Sequence, residues 1–380
     1  MSQQDPFHTL LDFPETLPQI RHMAADFGKE TLKAFPDIAS SHPFPREVWK
    51  NAGEKGILGI GLPTIFGGQG GSFHDISAAA AEISFSAACP GLALSILLHH
   101  MIGAFIIKDF GTKKQQQTLL PPMARGEICI SLAISEPGTG ASPKGIRSLA
   151  EKTPEGWQIS GNKTFITNAA LADLFAVMVI TGENKGRKEF STFLIPRQSK
   201  GLCVKDMGPL PFLRPAPHGE ISLGAVSVSD SALLGKPGYA LNDMAKPFRG
   251  LEDALMAGAV AGGLAALLQR CCRDIGKDPA DFPGTTDIAG LNEARIAALA
   301  SLASRAAASS PPSAISERIN RAIRDLSRRI LEDLRTITKD RTLRQDTKTL
   351  FMDLEKSGTI AAGAAAVRQH QAGERLFQFS

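Results

Sequence analysis

The sequence predicts a mostly helical α+β protein in which one contiguous block of β structure interrupts two helical regions. Three observations predict it. Residues 1 to about 125 place alanine, leucine and small residues at helical spacing, with few β-branched runs. Between about 127 and 235, short runs of Val, Ile, Phe and Thr recur between clusters of Gly, Pro, Asn and Ser. After Gly238 the helical period returns. The expected division is an N-terminal helical domain over 1–126, a middle domain of β-barrel or sandwich type over 127–236, and a C-terminal helical bundle over 237–380.

In order along the chain, Val48–Leu58 and Ile76–Phe85 read as helices, and Pro63 to Gly71 (PTIFGGQGG) as a turn-rich connector between them. Leu92–Phe110 reads as a largely buried helix, closed by Gly111-Thr112. Strands are expected at Ile128–Ile134, Trp157–Ile159, Leu174–Thr181, Thr192–Ile195 and Ile221–Val228, with polar and apolar residues alternating through part of the last. Ala254–Leu268, rich in Ala, Gly and Leu, suits close helix packing. Ile315, Ile319, Ile323, Leu326, Ile330 and Leu334 fall at steps of three and four and mark an amphipathic helix. Arg318, Arg321, Arg324, Arg328 and Glu332 cover its other faces, which suits a solvated face or an anion-binding surface. Residues 279–284 and 309–313 read as loop connectors.

The bulk numbers exclude several classes. A net charge of +4 over 380 residues, without a basic block carrying aromatics, argues against nucleic acid. Five cysteines form no CxxC and suit a reducing compartment, so a cytoplasmic protein is expected. The acidic, proline-bearing first residues do not resemble a signal peptide. Apolar stretches broken by Gly, His or Lys before the roughly 18 residues of a span argue against a membrane protein. There is no HExxH, GxSxG, P-loop or GxGxxG pattern, and the pair His99-His100 reads as packed or surface residues, so no metal is expected.

The informative chemistry lies between Ser131 and Asn168. A glycine-rich polar loop, Ser135-Glu136-Pro137-Gly138-Thr139-Gly140-Ala141-Ser142, follows an apolar run, and a second strand-like run ends in Lys163-Thr164-Phe165-Ile166-Thr167-Asn168. Hydroxyls, freed backbone amides and one aromatic face are what a flat heterocycle with polar edges requires.

With these segments the chain resembles the acyl-CoA dehydrogenase family of flavoproteins. The resemblance runs from about residue 43 to 255. It is carried by PFPREVWKNAGEKGILGIGLPTIFGGQGG, FGTKKQQQTLLPPMARGE, the SEPGTGAS loop, the Lys163–Asn168 segment with Ala172-Asp173-Leu174-Phe175 after it, and Leu233 to Gly238 (LLGKPG). It implies FAD. Leu132, Ile134 and Ser135 would meet the ring's polar edge, Gly140 and Ala141 would complete the cofactor site, Phe165 would pack on the ring face and Thr167 would hydrogen-bond near the reactive nitrogen. Ser142 would touch substrate.

The family's reaction removes hydrogen from the α and β carbons of an acyl thioester and needs a carboxylate base. Where most members place that base in an E-G-T motif, this chain has Ser357-Gly358-Thr359. A minority place it early in the bundle, where this chain has Leu251-Glu252-Asp253, making Glu252 the candidate. Its alternative is an ordinary first-turn acid favoured by the helix dipole. Several family features are replaced: Pro143 follows Ser142, Asp253 stands for arginine, Arg214-Pro215-Ala216 stands for R-x-S, and the bundle's adenylate motifs have no match. The resemblance implies an acyl-CoA or related thioester substrate, an acceptor such as an electron-transfer flavoprotein, and a homodimer or homotetramer. A non-catalytic homologue serving as a partner subunit and a flavin monooxygenase on the same fold are the alternatives.

Overall fold

The computed structural model describes residues 7–276, 284–309, 314–359 and 362–377. The connectors expected at 279–284 and 309–313 fall almost wholly outside them. The N-terminal region comprises α1 (Pro18–Ala34), α2 (Arg46–Glu54), α3 (Phe73–Ser86), α4 (Pro90–Met101), α5 (Lys108–Phe110) and α6 (Lys113–Ala124). Capping boxes start α3 and α6. Ser72 and Asp75 exchange side-chain and backbone hydrogen bonds, and so do Thr112 and Gln115. The PTIFGGQGG connector is a turn before α3, with Gly67 and Gly70 at φ +80° and +71°. A Cβ on Gly68 would stand 2.1 Å from the Leu62 carbonyl, so the segment can close only with glycine there.

The expected helix at Leu92–Phe110 is α4 running through a π-helical stretch, Ile102–Ile107, into α5. It and Leu241–Ile275 are long and apolar enough to cross a membrane by length and composition alone, which corrects the expectation that no segment reaches that length. In the fold they are core helices, 94% and 78% buried over their most apolar windows.

The β region is one sheet of β1 (Ile130–Ala133), β2 (Leu149–Thr153), β3 (Gly156–Thr167), β4 (Leu174–Asn184), β5 (Arg187–Pro196), β6 (Leu202–Asp206), β7 (His218–Val228) and β8 (Leu233–Leu234). The order is β6-β7-β3-β2-β4-β5-β8, with β1 paired parallel to β4 beside that path. β2 also runs parallel to β4, and the remaining pairs are antiparallel. The expected strand at Trp157–Ile159 is twelve residues long instead. Its apolar alternation is broken at Gly161, where φ is +144° and the register against β7 shifts. β2, β6 and β8 carry too few apolar residues, or are too short, to announce themselves.

After a π-helical turn at Leu241–Ala245 come α7 (Lys246–Ile275), α8 (Thr285–Ala308), α9 (Ala314–Thr338), α10 (Gln345–Thr359) and α11 (Ala362–Phe377). α7 lies directly on α3: a Cβ on Gly258 would meet the Ser77 carbonyl at 2.2 Å, and one on Gly262 the Ala81 carbonyl at 2.0 Å. On α9, Ile319, Ile323, Ile330 and Leu334 are buried as expected, but Ile315 is 52% exposed. It lies in the first turn of the helix. The site lies where residues of α4, α7, β1 and β3 converge.

Candidate active site

The site begins with a buried ion pair. Glu136 and Lys163 are nearly inaccessible, and Lys163 Nζ donates to Glu136 Oε1 (2.9 Å) and to the Ile134 carbonyl (3.1 Å). The same carboxylate accepts from the backbone N–H groups of Arg147 (2.8 Å) and Ser148 (2.9 Å). One side chain thus closes both ends of the loop 135–147 and ties it to β3. Burial pushes the Glu136 carboxyl up, but these hydrogen bonds outweigh it and hold the group below the usual carboxylate range. Break either partner and a buried charge is stranded.

Beyond Lys163 the β3–β7 register shifts again, between Lys163–Ile221 and Ile166–Gly219. Phe165 sits in that irregularity at φ +53°, a left-handed conformation that is costly for a bulky residue, and the residue is 59% exposed. A strained aromatic held out from the sheet is the opposite of a strand-core phenylalanine. Asn168, also left-handed at φ +64°, ends the segment. Its amide donates to the Ser95 carbonyl (2.8 Å) and its Oδ1 accepts from the Ser95 hydroxyl, pinning β3 to α4.

Phe165 faces a cavity of about 1890 Å³. Pockets for single small ligands run to roughly 1,000 Å³, so the space accommodates a cofactor and a second molecule. Of the residues predicted from sequence, Leu132, Ile134, Ser135, Ala141, Phe165, Thr167 and Glu252 line this one cavity. Gly140 and Ser142 do not; both are exposed on the outer part of the loop. Leu94 and Leu98 from α4 and Ile102 from the π-helical stretch after it, with Met256 and Val260 from α7, form an apolar stretch of wall. Ser357, Gly358 and Thr359 at the end of α10 also reach it.

Glu252 is the seventh residue of α7, and π-helical backbone precedes that helix. The acid therefore lies past the first turn, away from the helix end whose dipole would favour an ordinary acid. Its side chain is one-quarter exposed, and Oε2 accepts from Arg249 Nη1 at 2.8 Å. Burial raises its pKa, Arg249 pulls it back and Asp253 adds to the rise, leaving the group above the ordinary value. Arg249 also donates to Asp253 (2.6 Å). The arginines of α9 are not simply a solvated face. Arg321, Arg324 and Arg328 line the cavity, with Arg328 paired to Asp325 and Glu332 and Arg324 3.4 Å from Asp253.

Two contributors escaped the sequence patterns. His218 stands opposite Thr167 in the β3–β7 ladder, and only the strand pairing reveals it. Asp353 is buried in α10, where Oδ1 accepts from the Leu213 N–H at 2.8 Å and Oδ2 has no partner. That bond holds a loop whose Leu210, Phe212 and Leu213 cover part of the cavity, with Leu213 left-handed at φ +56°. The available signal was an acid between Leu350 and Leu354 on a buried helix face. His99 and His100 are core residues, driven by burial to about 4 and about 3 and so neutral. No group of metal-binding side chains occurs among the described residues.

Comparison with known proteins follows the same division of the chain. Residues 14–127 match the acyl-CoA dehydrogenase N-terminal domain, and residues 131–226 match the acyl-CoA dehydrogenase middle domain. A probable acyl-CoA dehydrogenase of Bacillus subtilis is 32% identical over 250 residues, 65% of each chain. An L-prolyl-[peptidyl-carrier protein] dehydrogenase of Pseudomonas fluorescens is 30% identical over 265 residues, covering 68% of this chain and 69% of the relative. The fold matches PigA, solved with FAD and proline, at a TM-score of 0.82 and 20% identity, over 97% of this chain and 100% of that one. The matched stretch spans just under two thirds of the Bacillus relative's length.

Proposed function

Since this chain belongs to the acyl-CoA dehydrogenase family, we propose that it is an FAD-dependent oxidoreductase that dehydrogenates an acyl thioester at Cα–Cβ. The observation carrying this reading is that one cavity is lined both by Phe165, a strained and uncovered aromatic, and by Glu252, a half-buried acid with a raised pKa. An aromatic held out at such a conformational cost calls for a flat partner, and the cavity is large enough for a flavin beside a substrate. The residues fit the ring.

Leu132, Ile134 and Ser135 at the end of β1, with Ala141, would hold the polar edge, Phe165 the face and Thr167 the region of the reactive nitrogen. When bound, the flavin supplies the electron acceptor for the reaction. The chain supplies the proton acceptor. Glu252 takes the proton from the carbon beside the thioester carbonyl at Oε1, the oxygen that Arg249 does not engage. A base whose burial has raised its pKa binds that proton more readily than an exposed carboxylate. The apolar wall of Leu94, Leu98, Ile102, Met256 and Val260 receives the acyl group and keeps water from it. Either coenzyme A or a carrier protein can bear the thioester, as the relatives' names illustrate. Electrons then leave to an acceptor such as an electron-transfer flavoprotein, and the working form is a homodimer or homotetramer.

The test is spectroscopic. The purified chain is expected to be yellow, and anaerobic addition of its thioester bleaches it. Glu252→Gln is expected to keep the colour while bleaching about 10²–10⁴-fold more slowly, the span general-base removal produces. A protein that retains flavin yet stays inert to both CoA and carrier-protein thioesters overturns the dehydrogenase reading.

A further inference from the structure

Thr167 does not face the cavity alone. Across the ladder, His218 Nε2 lies 3.2 Å from Thr167 Oγ1, and His218 Nδ1 lies 3.0 Å from the Ala216 carbonyl oxygen. The direction of both bonds follows from valence. A carbonyl only accepts, so Nδ1 carries a proton. In the neutral ring Nε2 then holds a lone pair, and the partner that must donate to it is the Thr167 hydroxyl. Burial favours that neutral ring, holding His218 below the ordinary histidine value against the opposing pull of the Ala216 bond.

A hydroxyl has one proton. With that proton directed at His218, Thr167 presents only lone pairs to whatever occupies the cavity. Thr164, three residues earlier on β3, is set in the same sense, donating to Glu220 Oε1 at 3.0 Å on β7. Neither residue was marked by any sequence pattern as a partner of the other strand's site.

We propose that His218 is a positioning residue that fixes Thr167 as a hydrogen-bond acceptor toward the cofactor held against Phe165. This rests on the FAD reading above. A ring nitrogen that bears a hydrogen satisfies an acceptor, and a bare nitrogen does not. The reduced flavin has such an N–H at its reactive edge, whereas the oxidised flavin has a lone pair there. An acceptor-oriented Thr167 therefore favours the reduced form and raises the cofactor's midpoint potential. Were the hydroxyl free to turn, it would donate to the oxidised ring and lower it.

The experiment uses the full chain loaded with FAD and measures the midpoint potential by anaerobic titration. His218→Leu is expected to shift it downward, because the Thr167 hydroxyl hydrogen is released to turn toward the cofactor. His218→Gln, whose amide oxygen can take the place of Nε2, is expected to restore the wild-type potential. In a Thr167→Val background His218→Leu should produce no further shift. An unshifted His218→Leu, or an equal shift with Thr167→Val present, overturns the proposal. A second readout needs no cofactor: imidazole ¹⁵N spectra of the flavin-free wild-type chain should show His218 protonated at Nδ1 and bare at Nε2, and the reverse tautomer overturns it. A chain that takes up no FAD but shows the expected tautomer sinks the cofactor reading and with it this role. A yellow chain with unshifted potentials sinks only the role of His218.

Discussion

At the scale of single residues, the cavity gathers groups held in costly states. Phe165 is strained, Glu252 is a half-buried acid, and Asp353 is a buried carboxylate with one oxygen unpartnered. The last leads to a pH prediction. Burial lifts Asp353 to about 7, with the Leu213 N–H and Arg214 pulling the other way. An acid with a raised folded-state pKa binds its proton more tightly folded than unfolded. Stability is therefore lost as pH rises from the unfolded value toward about 7, by roughly 4 kcal/mol in all. Asp353→Asn keeps an acceptor for Leu213 and has nothing to ionise. Denaturant melts at pH 5 and pH 8 should show the variant gaining on wild type by about 3 kcal/mol between them, and parallel curves would refute the buried-acid account. Phe165, Thr167 and Glu252 were legible from sequence because they sit in recognisable local patterns. His218 and Asp353 were not, because each acts through a partner from another element, Thr167 on β3 or Leu213 before β7.

At the scale of elements, the central contact is α3 against α7. Gly258 and Gly262 let the two backbones approach until a Cβ has no room beside the Ser77 and Ala81 carbonyls. The small residues of Ala254–Leu268 are thus the mark of that close approach. α7 also carries Glu252, Met256 and Val260, so this contact sets how far the acid stands from the opposite wall. Gly262→Leu should destabilise the protein by about 3 kcal/mol or more, beyond ordinary overpacking, because backbone must move. Thermal melts check the loss. A variant as stable as wild type would mean α7 can slide. Helices were the readable elements: α9 buries a face whose period survives in sequence, and α3 and α4, buried almost throughout, show as long runs of small and apolar residues. β2 and β6 bury one residue or none, and Gly161 divides β3, so strand patterns came out short or missing.

At the scale of the whole molecule, two of the clusters of buried apolar residues, one centred on the N-terminal helices and one on the C-terminal bundle, meet around a hollow instead of closing over it. A cavity of about 1890 Å³ forgoes packing that a ligand can restore. FAD at a hundred times its dissociation constant is expected to add about 2.7 kcal/mol to the unfolding free energy. Differential scanning calorimetry would register this as a rise of several degrees, and an unchanged transition would show that the hollow is not a cofactor site. The order helical, β, helical was plain from sequence texture, because the three regions differ in residue type over long windows. The hollow itself was not, since it belongs to none of them alone.

The Ser95–Asn168 clasp has a mechanical meaning. Leu94 and Leu98 flank Ser95 on α4 and face the cavity, while Asn168 directly follows Thr167 on β3. A bulky group lodged against α4 therefore leans on a lever whose other arm carries the threonine. On the proposed cofactor reading, size and alignment are geared together, and a guest that crowds α4 also misdirects the reactive edge.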